Sequence, residues 1–114
     1  MIQGRAREAL AQYMQELTLL EQILHPDEAE VGSAYRHVGV AHFILGEITA
    51  ADQYLAHAVA IMEAAIVNLP SEKAGYQSRL KEILLEQARA KRSFGAEADA
   101  VALERKAEAL PDGR

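Results

Sequence analysis

The chain has 114 residues, half of them hydrophobic and a quarter charged, with no cysteine, no tryptophan and a formal net charge of −5. That length suits one domain with a core of modest size, and the missing cysteine excludes disulfides and thiolate metal sites. Apolar content is too high for a disordered chain, no apolar run approaches the roughly 18–20 residues that span a bilayer, and 22 alanines and 13 leucines against 3 prolines make a helical composition.

Punctuation is sparse, and the stretches between breaks read as helices. The first is predicted from about Arg5 to Leu24, where Leu10, Tyr13, Met14, Leu17, Leu20 and Leu24 recur at spacings of three and four. Pro26 ends it and biases His25 away from helix. Asp27 then suits an N-cap for a second helix over 28–45, with Glu28 and Glu30 in the first turn, where the helix dipole favours acids. Gly46 is its expected left-handed stop. The third helix is predicted over 48–68, with Thr49 an alternative cap, and Leu69-Pro70 stops it. Ser71 reads as the cap of a fourth helix over 72–94, although Gly75 allows a start near Gln77. Gly95 separates it from a fifth over 96–110, and Pro111-Asp112-Gly113 reads as a frayed tail. No alternating strand pattern and no Asn-Gly hairpin signal occurs. The expected fold is therefore all-α, a single domain of five helices whose short connections make neighbours antiparallel.

An internal repeat lies within this pattern. Tyr35, Val38, Gly39, His42 and Gly46 are followed by Ala51, Leu55 and Ala58. The small positions are where two helix backbones approach, and the large ones fill the space around that contact. A weaker copy lies 49 residues on, at Leu84, Gln87, Ala88, Lys91, Gly95, Ala100, Glu104 and Ala107. There Gln87, Lys91 and Glu104 replace large apolar residues, as expected of an end repeat whose outer side meets water.

The order of small and large positions resembles the tetratricopeptide repeat, a helix-turn-helix unit of 34 residues. The run from Tyr13 to Asp27, ending in Leu24-His25-Pro26-Asp27, looks like the second half of an earlier repeat. Its turn is similar to that of the long-linker repeats of kinesin light chains. The 49-residue spacing is longer than in that form, so longer helices are expected. The resemblance covers about residues 10–110 and implies an α-solenoid fragment, with 28–68 a central repeat and 72–110 a C-terminal one.

Function is approached first by exclusion. Residues 1–71 carry three basic and nine acidic side chains, and residues 72–114 nine basic and eight acidic ones. An acidic chain without a basic cluster argues against nucleic acid and against an anionic membrane surface. The N-terminus has no signal-peptide pattern, which points to a cytoplasmic protein. The starting Met and the Pro111-Asp112-Gly113-Arg114 end read as those of a complete short chain. His37 and His42 lie on different sides of one helix, and no His-Glu-x-x-His motif occurs, so no metal site or cofactor is expected. The resemblance gives His42 a packed ring, and His37 and His57 are expected to be partly exposed. No glycine-rich phosphate loop and no serine in a nucleophile elbow is present, so no catalytic residue is assigned and no enzyme activity expected.

The resemblance instead implies a protein–protein interaction module whose concave face holds a peptide or helix. It places Ser33, Arg36, His37, Val40 and Phe43 on that face, with Leu85, Arg89 and Arg92 from the fourth helix. Arg36, Arg89 and Arg92 together suit a carboxylate; equally, Arg36 and Arg89 can pair with nearby acids on a solvated surface. Val40, Phe43 and Leu85 suit an apolar anchor, and Phe43 and Ile44 on a polar helix face mark contact. The family's carboxylate-clamp residues are not matched. The alternative is an assembly protein, a helical homodimer closing its open ends through Leu10, Leu17, Leu20 and Leu24.

Overall fold

The computed structural model describes residues 2–111, which form five α-helices: α1 (Ile2–Ile23), α2 (Ala29–Ile44), α3 (Ile48–Asn68), α4 (Lys73–Ser93) and α5 (Glu97–Glu108), with a 3-10 turn at Pro70–Glu72. No strand occurs among the described residues, so the fold is all-α as the sequence predicts. Asp112, Gly113 and Arg114, part of the tail read as frayed, lie outside the described residues. Each helix packs on its neighbour in sequence, which makes a slab of 41 × 37 × 20 Å. No single helix among the described residues is long and apolar enough to cross a membrane.

The helix stops follow the sequence, and the caps do not. Gly46 and Gly95 both take φ +79°, the left-handed conformation that glycine adopts without a Cβ penalty. Their turns close in the same way: Glu47 N–H donates to His42 O at 2.9 Å, and Ala96 N–H to Lys91 O at 2.9 Å. By contrast, Asp27 is not the cap of α2. The Glu28 N–H reaches back to His25 O, and the Asp27 N–H donates to His25 Nδ1 at 3.2 Å, so the turn is one residue longer and Glu28 takes the cap position without a side-chain bond. Glu47 rather than Thr49 precedes α3. Ser71 sits inside the 3-10 turn, because Glu72 N–H bonds Leu69 O across it, and α4 starts at Lys73 with Gly75 within it.

The centre of the fold is the contact between α2 and α3. A Cβ built on Gly39 would lie 2.8 Å from Leu55 Cγ and 3.3 Å from Ala51 O. Ala51 and Ala58 are fully buried beside it, with Val38 and Leu55 packed around. A second close approach, which the repeat pattern did not mark, lies at Gly32, whose Cβ would meet Met62 Sδ at 3.0 Å. In the α4–α5 pair, Ala88, Ala100 and Ala107 are buried at the corresponding places. One apolar cluster runs from Leu55 and Met62 through Ile83 and Leu84 to Ala107. Another, of Val31, Ala34, Val38 and Ile61, seats Leu17 of α1.

Two expectations are corrected here. Leu17 is buried, and Leu10, Leu20 and Leu24 pack against the same cluster. That stripe is consumed inside the chain, because α2 and α3 together present an apolar trough that α1 fills; it is not a bare edge for a second copy. Secondly, Gln87 and Lys91 do not lie on an open outer face: the Lys91 side chain is only 25% exposed. Gln87 is buried, and Asp52 of α3 accepts hydrogen bonds from Gln87 Nε2 at 3.4 Å and Lys91 Nζ at 3.0 Å. Their polarity is answered across the α3–α4 interface.

The two kinds of glycine can be told apart by one substitution each. Gly39→Ala gains about 1 kcal/mol of helix propensity but overpacks against a branched carbon and a fixed carbonyl, which costs about 1–3 kcal/mol; thermal unfolding should show a net loss of stability. Gly75→Ala meets open space and should raise the melting temperature by up to a few degrees. A stable Gly39→Ala protein would mean that α2 and α3 are not in close contact.

Candidate functional site

The face of α2 turned toward α4 carries an ion pair that joins the two helix pairs. Arg36 Nε donates to Glu86 Oε1 at 2.7 Å and Nη2 to Glu86 Oε2 at 3.1 Å, with Glu82 Oε2 3.6 Å from Nη2. The hydrogen bonds to Glu86 hold the guanidinium more firmly protonated, against the opposing effect of its partial burial. A bidentate pair of this kind fixes direction as well as distance. It acts where the main chains of α2 and α4 touch little.

A cleft of about 200 Å³ opens beside this pair. Ala6, Ala9 and Tyr13 of α1 form one wall, Val40, Ala41 and Ile44 of α2 the floor and rim, and Arg36 with Glu86 the far side. A smaller hollow of about 50 Å³ adjoins it, lined by Val40, Phe43, Leu55, Glu86 and Arg89. Val40 and Glu86 belong to both, so the two make one continuous groove. Ile44 and Leu85 are exposed large apolar side chains, and Leu85 shares the α4 stripe of Glu82, Glu86 and Arg89.

The structure therefore gathers Arg36, His37, Val40, Phe43 and Arg89 along one groove. Ser33 is half-buried and lines neither hollow. Val40 and Phe43 are half-buried rather than exposed, since Val40 packs on the main core and Phe43 lies over Leu55. Arg92 is elsewhere. It turns to α5, where Nη2 donates to Glu104 Oε1 at 2.7 Å and Nε to Glu97 Oε2 at 3.1 Å. These bonds hold the Arg92 guanidinium more firmly protonated and the Glu104 carboxyl below its ordinary range. The three arginines consequently do not form a joint carboxylate site: two are matched by acids within the chain, and Arg89 is left without an ion pair among the described residues. The wall from α1 has no signal in the sequence, because alanines at 6 and 9 look like any helix-forming residues until the packing angle is known.

Three histidines stack on tyrosines. His37 lies on Tyr13 with ring centroids 4.9 Å apart, His42 on Tyr54 at 5.3 Å, and His57 on Tyr35 at 4.2 Å and 11°. His42 is packed as its repeat position implies, and its Nδ1 is 3.0 Å from Glu47 Oε1. That hydrogen bond, more than the neighbouring Arg7, keeps the Glu47 carboxyl below its usual range. His37 is half-buried, with Nδ1 buried and unbonded among the described residues, and His57 is exposed at its edge. No group of three His, Asp or Glu side chains among the described residues is placed to hold a metal. A larger hollow, about 480 Å³, lies apart from the groove, between the His25–Glu30 turn and Leu69 and Tyr76.

Tyr35 connects three helices, since its hydroxyl donates to Glu21 of α1 at 2.9 Å while its ring lies between Tyr54 and His57. Burial, then the bond to Glu21, pushes its pKa up to about 12. A raised phenol favours the folded state while neutral. Its contribution is complete below the ordinary value near 10 and is lost as pH rises through about 12. Absorbance titration should show this late phenolate step; Tyr35→Phe should abolish it, and Glu21→Gln should move it down. A step unmoved in Glu21→Gln would remove the α1–α2 hydrogen bond from this account.

Comparison with known proteins adds no relative: no family model, no curated protein and no solved structure matches this chain.

Proposed function

We propose that this chain is a non-enzymatic, cytoplasmic protein–protein interaction module, which holds a peptide or helix of another protein in the groove between α1, α2 and α4. One observation carries the reading: the exposed Ile44 lines a cleft with alanine and valine walls, large enough for one apolar side chain, and the exposed Leu85 precedes the lining Glu86 on α4. A cavity of about 150 Å³ is enough for a benzene ring. A partner seated there would bury one anchor residue in the cleft and lie along Phe43 and Arg89. The tetratricopeptide resemblance supports the same face, since α2 and α4 are the first helices of the two pairs. The packing of three histidines on tyrosine rings supports a structural use for the side chains best suited to catalysis. The Arg36–Glu86 pair gives the groove a rigid far side, so binding costs little reorganisation.

Panning a random 12-residue peptide display library on the immobilised protein tests this. Enriched peptides should share one recurring large apolar position. Ile44→Glu and Leu85→Glu should each weaken their binding about tenfold or more, with melting temperatures near that of the parent because both side chains are exposed. Failure to enrich any peptide, or binding indifferent to both substitutions, would overturn the proposal.

A further inference from the structure

We propose that the hollow between the His25–Glu30 turn, the end of α3 and the start of α4 is a docking site for an arginine side chain presented by another protein. The hollow measures about 480 Å³, an ordinary size for a ligand pocket. Ala29, Ala65, Leu69 and Tyr76 give it an apolar lining, and Asp27 and Glu28 line it from the turn, with Glu30 beside them. No lysine or arginine among the described residues lines it.

Charge singles this hollow out. Among the described residues five acidic side chains belong to half-buried positions: Asp27, Glu28, Asp52, Glu86 and Glu104. Three are answered by a cation within the chain, Asp52 by Lys91, Glu86 by Arg36 and Glu104 by Arg92. The two left over, Asp27 and Glu28, both line the hollow. His25 Nδ1, 3.9 Å from Asp27 Oδ2, accepts the Asp27 N–H and so offers that carboxylate no proton. Glu28 precedes α2 without a side-chain cap bond. The start of α2 favours acids through roughly half a positive elementary charge, but the end of α3 on the other side of the hollow supplies roughly half a negative one. The two dipoles offset each other, and the carboxylates are left uncompensated.

A guanidinium suits this combination better than an ammonium. Its planar fork donates to carboxylates in pairs, it is weakly hydrated, and its aliphatic stem lies well on apolar surface. An aromatic face also attracts it. Tyr76 shows that affinity within the chain, since Arg79 lies over its ring, 5.7 Å from the centroid, without lining the hollow. The hollow shares no lining residue with the groove of α1, α2 and α4, so the site does not depend on the function proposed above.

An acetylated, amidated Gly-Gly-Arg-Gly-Gly peptide, titrated into isotope-labelled protein and followed by amide chemical shifts, tests this. Shifts should concentrate at Ala29, Ala65, Leu69 and Tyr76, with a dissociation constant in the low-millimolar range for a single side chain. The same peptide with lysine for arginine should bind several-fold more weakly, and with norleucine it should not bind. Asp27→Asn combined with Glu28→Gln should weaken the arginine peptide about tenfold, at a cost of only a few degrees in melting temperature. Glu16→Gln, which removes an exposed acid from α1, and Ile44→Glu, which blocks the groove, should both leave this binding unchanged. No shift at those four residues, equal affinity for the lysine peptide, tighter binding of free arginine than of the peptide, or a folded double variant that binds as well as the parent would each overturn the proposal. Should the double variant fail to fold, the comparison of the three peptides on the parent chain decides alone.

Discussion

Everything else in this structure is arranged around the contact of α2 with α3 at Gly39. With a Cβ there held to 2.8 Å from Leu55, the two backbones come nearer than side chains ordinarily allow. The interface is made of close main-chain approach rather than bulky packing. Ala51 and Ala58 extend it, and Val38 and Leu55 seal it on either side. α1 and α4 then rest on the two long helices so joined, α1 in the trough of Val31, Ala34 and Ile61, and α4 against Leu55, Val59 and Met62. Removing that approach would move both outer helices, and with them the groove.

The second helix pair uses the same frame with different chemistry. The main-chain bonds of the turns at Gly46 and Gly95 correspond, and so do the buried small residues. Yet where the first pair places Val40, Phe43 and Leu55 around a hollow, the equivalent positions hold Arg89, Arg92 and Glu104. An apolar contact in one pair has become an ion pair in the other. Such an exposed pair adds little stability, on the order of 0–1 kcal/mol, but it makes the last helix pair polar where nothing covers it. Charge is denser at the far end of the array: six of the 12 residues of α5 are charged, against five of the 22 of α1.

Much of the fold was legible in the sequence because its signals are local. Apolar spacing along one helix, a proline after it and a glycine at its end depend on residues within a few positions of one another. The span of α3 and both left-handed glycines follow from this. The repeat was legible too, since the small residues recur in fixed order. The caps were less so: Asp27 and Ser71 have the right side chains, but the turn at His25 and the 3-10 turn at Pro70 move the helix starts past them. The groove was half legible. Helical spacing places Arg36, Val40, Phe43 and Arg89 on facing stripes. It does not show that Glu86 already occupies Arg36, or that Arg92 turns toward Glu97 and Glu104.

By itself, then, the sequence determined an all-α chain of five helices, its turns and the small residues on which the central pair closes. Tertiary structure alone decided which face of α1 is buried, since a stripe of leucines is equally suited to α2 or to another molecule until the trough is built. It also decided that Gln87 and Lys91 turn to Asp52 across the α3–α4 interface. The reason is common to both. Helical periodicity states which residues share a face, but the partner of that face is set by packing between segments distant in the chain, where distances of a few ångströms separate an ion pair from a free charge.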